Sequence, residues 1–71
     1  MNGWTNYETW KVNLEVFDGW DGGYLSPVEA TEIASAWYLE GLECNPSAHS
    51  IVCYFLDQVN WHEIAEAHSE N

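Results

Sequence analysis

Apolar side chains recur along this chain in four stretches, each opened and closed by residues that start or stop helices. Thr5, Asn6, Tyr7 and Glu8 read as a capping box, in which a Thr hydroxyl serves an amide three residues on and the Glu reaches back. The spacing then predicts a helix from about Asn6 to Phe17, with Tyr7, Trp10, Leu14 and Phe17 on one face and Gly19 as its stop. A second pattern competes there. Trp10, Val12, Leu14 and Val16 alternate with Lys11, Asn13 and Glu15, which is the period of a strand. The cap favours helix. Residues 18–25, rich in Gly and Asp, read as a loop. Ser26, Pro27 and Glu29 open a second helix as cap, first helical residue and box-closing acid. Its inner face is Ala30, Ile33, Ala34, Trp37 and Tyr38, and Gly41 ends it.

Asn45 and Pro46 begin the third helix, whose stripe of Ala48, Ile51, Val52, Phe55, Leu56 and Val59 is the most regular in the chain. Asn60 to Glu63 forms a further capping box, and Trp61, Ile64 and Ala65 give a short last helix its inner side. No repeat or linker interrupts residues 1–71. The expected fold is all-α: a compact bundle of about four short helices in a single domain, with 6–17 as the segment where a strand competes.

Composition changes the picture from ordinary to unusual. The 71 residues carry twelve Asp and Glu against one Lys or Arg, a formal net charge of −11. Low hydrophobicity with high charge usually means disorder, but this chain is 46% hydrophobic and has five Trp, four Tyr and two Phe. It has the apolar mass to fold. Its field repels DNA, RNA and anionic membranes and attracts basic grooves. Two cysteines make no disulfide framework. The N-terminal residues lack the pattern of a signal peptide, and the longest apolar run, Ile51 to Leu56, is too short to cross a bilayer. A soluble, cytoplasmic protein is expected.

Two segments resemble known sequences. The run Trp4, Thr5, Asn6, Tyr7, Glu8, Thr9, Trp10, Lys11, Val12, Asn13, Leu14 resembles the N-terminal signature of a group of small phage and mobile-element proteins. The run Val59 to Ala65 is similar to that group's closing helix. Together they cover about a quarter of the chain. The resemblance implies a viral or mobile-element origin and a helical fold, and it brings no catalytic residues.

Candidate chemistry is thin. His62 and His68 lie six residues apart, whereas two imidazoles on one helix need a spacing of four to share a zinc ion. Cys44, His49 and Cys53 are suitable ligand types without a fourth partner, and buried thiols are ordinary core material. Ser47, Ser50, His49 and Asp57 supply the residue types of a hydrolytic centre in no spacing that singles them out. No enzyme, metal or cofactor is expected. Trp10, Trp37 and Trp61 fall on inner faces and read as core. Trp4 and Trp20 lie outside helices and are either core pegs or exposed anchors for a partner.

The acids are the remaining signal. Glu29 with Glu32, and Glu63 with Glu66, stand three apart, roughly 5–6 Å on a helix and on the scale of successive phosphates along a strand. Glu15 with Asp18, followed by Asp21, makes another cluster. Glu40 and Glu43 end the second helix, where the dipole disfavours negative charge. One Lys cannot neutralise this set. These nine acids are therefore the candidate partner surface, and the expected activity is imitation of nucleic acid. In the setting the resemblance implies, the target is a host defence complex with a basic groove. A CRISPR effector at its PAM-reading pocket comes first, and a restriction enzyme second. The alternative is a phage accessory protein that binds a host enzyme through Trp4 and Trp20, with acidity serving solubility. A structural or oligomerising role would require an exposed helix stripe.

A dense uniform charge opposes its own folding, and salt screens that repulsion. Circular dichroism should report mostly helix, and Tm should rise between 50 and 500 mM NaCl; a strand-dominated spectrum or a falling Tm would contradict the reading.

Overall fold

The computed structural model describes residues 3–40 and 46–68. Gly41, Glu43, Cys44, Asn45 and Glu70 lie outside the described residues. Among these residues the chain forms four helices and no strand: α1 (Tyr7–Val12), continued by a π-helical segment (Asn13–Phe17), α2 (Pro27–Leu39), α3 (Pro46–Asp57) and α4 (Trp61–His68). The helical reading of 6–17 therefore holds over the strand that competes with it. α2 packs chiefly on α4, with α3 against α2 and α1 against α4. Val12, Phe17, Leu25, Ala30, Ala34, Leu56, Val59 and Ile64 make the core. Two alanines on α2 let its backbone come close to its neighbours. Principal extents are 38 × 23 × 18 Å.

The start of α1 differs in detail from its sequence reading. Asn6, not Thr5, is the N-cap, and its Oδ1 accepts from the Thr9 amide at 2.9 Å. The same Oδ1 accepts the Thr9 hydroxyl at 2.6 Å, and Thr9 Oγ1 accepts the Asn60 amide at 2.9 Å. Asn6 Nδ2 donates to the Gln58 carbonyl at 2.8 Å. The Thr5 amide donates to both Glu63 carboxylate oxygens, at 3.0 and 3.2 Å. Glu63 thus caps the entry to α1 from α4 instead of closing a box at Asn60, although Asn60 Oδ1 does cap α4 through the Glu63 amide at 3.1 Å. Both halves of the Ser26–Glu29 box are present. Thr5, Asn6 and Thr9 at the start of α1 and Gln58, Asn60 and Glu63 at the start of α4 form one polar knot between the two helices.

This knot rotates α1. Thr9, Val12 and Phe17 are buried, while Tyr7 and Leu14 are each 46% exposed. Of the expected inner face, Phe17 is buried and Trp10 half-buried, whereas the placement of Tyr7 and Leu14 is corrected. Thr9 is drawn inward because its hydroxyl is shared between Asn6 and Asn60. Val12 and Phe17 are five apart, about 140° out of phase in an α-helix at roughly 100° per residue. The π-helical turn, with its i→i+5 bonding, brings both inward. Gly19, at φ +82°, then stops the segment, and the Trp20 amide bonds the Phe17 carbonyl at 2.9 Å.

Two further expectations change. Trp37, on the same face of α2 as the buried Ala30 and Ala34 but nearer its C-terminal end, is 62% exposed. Ile51 is 70% exposed, since α3 buries only the C-terminal part of its stripe, Leu56 and, just beyond its end, Val59. Cys53 is exposed too, and not core material.

Removing the Thr9 hydroxyl leaves the Asn60 amide without its partner and the Asn6 Oδ1 with the Thr9 amide alone. Thr9→Val should therefore cost about 2 kcal/mol, lowering Tm by about 8–16 °C in a domain this small, despite its near-identical shape. Trp37→Ala should change stability by about 0.5 kcal/mol or less. Urea titration of both variants tests the pair, and the reverse ranking would refute the knot.

Candidate functional site

The acids divide by what they touch. Glu15 lies in the π-helical turn, where its Oε2 is 3.1 Å from the Lys11 ammonium and its Oε1 accepts the Tyr38 hydroxyl at 2.7 Å. The bond from Tyr38 holds the Glu15 carboxyl below its ordinary range, with Lys11 adding to the effect. Burial, then the Glu15 bond, pushes the Tyr38 phenol above its usual value. Glu29 accepts the Ser26 amide at 3.2 Å, and Glu63 holds Thr5. Of the nine candidate acids, Glu15 and Glu63 thus tie elements together and Glu29 caps its own helix. The sole Lys is spent on one of them.

Asp18, Asp21, Glu32, Glu40 and Glu66 are exposed, and Glu43 lies outside the described residues. Asp18 and Asp21 sit in the loop after the π-helical turn. Glu32 shares the first turns of α2 with Glu29. Glu66 borders two shallow cavities on α4, one of about 270 Å³ with Tyr24, Pro27 and His62, the other of about 360 Å³ with Trp4 and Glu63. Glu40 caps the C-terminal end of α2. Asp57, which spacing did not select, is exposed at the last residue of α3. Negative charge at a helix C-terminus costs stability, so Glu40 and Asp57 are placed against the interest of their own helices.

Trp4 and Trp20 are half-buried against the core. Trp20 Nε1 donates to the Gly23 carbonyl at 2.9 Å, and its ring meets Phe17 edge-on at 5.9 Å. It also covers Gly22, where any Cβ would collide with the indole. The exposed large apolar side chains are others: Tyr24, Trp37, Ile51 and Tyr54 among them. Tyr7, Lys11 and Glu15 on the α1 side, Tyr38 of α2, and Ile51, Val52 and Phe55 of α3 line a groove of about 230 Å³. Sequence reasoning placed Tyr7 and Ile51 in the core, and only the orientation of α1 and α3 reveals them.

Among the described residues no three His, Cys, Asp or Glu side chains gather as a metal site. Cys53 Sγ is 3.8 Å from His49 Nδ1, one turn away, and Cys44 lies outside the described residues. His68 Nε2 lies 2.6 Å from Asn13 Oδ1 with its ring against Phe17, while His62 is exposed, so the two point to different surroundings. No described helix is long and apolar enough to cross a membrane. Compared with known proteins, the chain matches no family model, no curated protein and no solved structure.

The Tyr38–Glu15–Lys11 chain has a pH signature. A carboxyl with a depressed folded pKa adds stability that is present above its unfolded value, about 4.3, and lost as pH falls through the folded one. The raised Tyr38 phenol adds stability that is full below about pH 10 and lost as pH rises towards its folded value. Tyr38→Phe should cost about 1 kcal/mol at neutral pH and move the Glu15 titration, read by carboxyl carbon NMR, back towards the ordinary range. An unmoved Glu15 would show that Lys11 alone sets it.

Proposed function

We propose that this protein is a phage-encoded binding inhibitor that presents its exposed carboxylates to a basic groove built for nucleic-acid phosphates. The observation that supports it is Asp18, Asp21, Glu32, Glu40 and Asp57 exposed on a foldable chain of net charge −11, with the only Lys already paired. Two of these acids oppose the dipole of the helix that carries them, which stability alone would not select. The long dimension of 38 Å matches about one turn of duplex, roughly 34–36 Å. A 71-residue chain covers only a short site, which suits the compact basic pocket beside a guide-matched target in a CRISPR effector better than the long channel of a restriction enzyme, which stands second. The protein acts in the host cytoplasm, binds no nucleic acid itself and performs no chemistry.

A second reading has its own support. Tyr24, Trp37, Ile51 and Tyr54 are exposed, so a host enzyme docked on aromatic side chains would meet these, with Trp4 and Trp20 as supports beneath the surface.

Competition separates the two. Added to a purified CRISPR effector or restriction enzyme, the protein should release DNA in a gel shift, more weakly as salt rises. The combined variant Asp18→Asn, Asp21→Asn, Glu32→Gln, Glu40→Gln spares the knot and the Ser26 cap. It should lose about 10- to 100-fold in affinity, since each exposed pair is worth about 0–1 kcal/mol. A ternary complex with DNA still bound would refute mimicry. Unchanged binding by this variant, with loss in Trp37→Ala or Tyr54→Ala, would establish the aromatic reading.

A further inference from the structure

The groove between α1 and α3 is unlike the rest of this surface. Its walls are Tyr7 on one side and Ile51, Val52 and Phe55 on the other, above the Tyr38 ring. The two charges that border it, Lys11 and Glu15, neutralise each other at 3.1 Å. Single exposed apolar side chains need no explanation, but here they converge. Ile51 is 70% and Tyr7 46% exposed, and both line the same space. At about 230 Å³ the space is smaller than the roughly 300–1,000 Å³ of small-molecule sites. It suits one or two side chains of a macromolecule.

Charge decides which macromolecule. A second copy would bring two surfaces of net charge −11 together, which self-repulsion opposes. A basic segment meets the opposite condition. On the α1 side the groove is framed by elements that also carry Glu8 and Asp18. We infer that the α1–α3 groove is a docking site for a basic amphipathic helix of a partner protein. One or two of its apolar residues enter between Tyr7 and Ile51, and its Lys and Arg side chains meet the surrounding acids. This is the helix-in-groove mode, in which apolar anchors at helical spacing supply contact and flanking charge sets orientation. Its apolar anchors, Tyr7, Ile51, Val52 and Phe55, are residues that the charge reading does not use, and the contact they make stands whether or not the protein imitates nucleic acid.

The test uses the full chain, isotope-labelled for NMR, and two synthetic 14-residue peptides. One carries Leu at positions i, i+3, i+4 and i+7 among Lys, and the other has each Leu replaced by Ser at the same charge. At 0.5 M NaCl the screening length is about 4 Å, so general attraction is suppressed. The Leu peptide should bind at least tenfold more tightly than the Ser peptide, with amide shifts concentrated at Tyr7, Lys11, Ile51 and Phe55. Ile51→Gln and Tyr7→Gln, both at exposed positions in the groove lining, should each remove most of that tenfold while low-salt binding of the Ser peptide stays unchanged. Equal affinities, shifts centred elsewhere, or a concentration-dependent dimer that shields Ile51 in sedimentation and NMR would overturn the proposal. A protein that releases DNA from its target yet treats the peptides alike keeps mimicry and loses the groove. One that selects the Leu peptide but never displaces DNA does the reverse.

Discussion

The shared hydroxyl of Thr9 is the contact on which the arrangement of this protein depends. It donates to the cap of its own helix at Asn6 and accepts the amide that opens α4 at Asn60, fifty-one residues away. Thr9 is fully buried, so neither bond can be exchanged for water without loss. Around it, Asn6 reaches the Gln58 carbonyl and Glu63 reaches the Thr5 amide. A short domain has little apolar area to specify one packing, and directional polar contacts at both helix starts supply what a small core cannot.

From that anchor the outward surface follows. With Thr9 inward, Tyr7 and Leu14 turn outward, and the π-helical turn brings Phe17 back onto the face of Val12. The same turn places Glu15 where it accepts from Tyr38 of α2 and pairs with Lys11. The floor and rim of the groove are thus by-products of how α1 is seated. Where α3 meets α2 it buries Leu56 and leaves Ile51 outside, which with Val52 and Phe55 completes the opposite wall.

The acids serve two purposes. Glu15, Glu29 and Glu63 each accept a bond that joins segments or caps a helix. Asp18, Asp21, Glu32, Glu40 and Asp57 are turned to solvent, two of them at helix ends where they cost stability. A count of charges cannot separate these groups, because a carboxylate that closes a capping box and one that faces a partner occupy the same spacing on a helix. Glu29 and Glu32 illustrate this, three residues apart with different duties.

Much of the architecture was legible in the chain alone. Helix number, the Ser26–Glu29 box, the Pro46 start of α3 and the inner side of α4 all follow from local rules that act within one or two turns. The excess of negative charge was equally plain, since it needs only counting. Local rules fail where a side chain's partner lies far along the chain. Glu63 reads as the closing acid of its own helix, yet Thr5 takes it. Tyr7 and Ile51 read as core, yet the seating of α1 and α3 exposes them, and Trp37 near the end of α2 is exposed as well. Periodicity tells which residues share a face, and only the contact between helices decides which face turns inward. Short-range hydrogen bonds and capping therefore determined the elements, whereas the long-range bonds of Thr9 and Glu63 determined their rotation, and with it the surface a partner would meet.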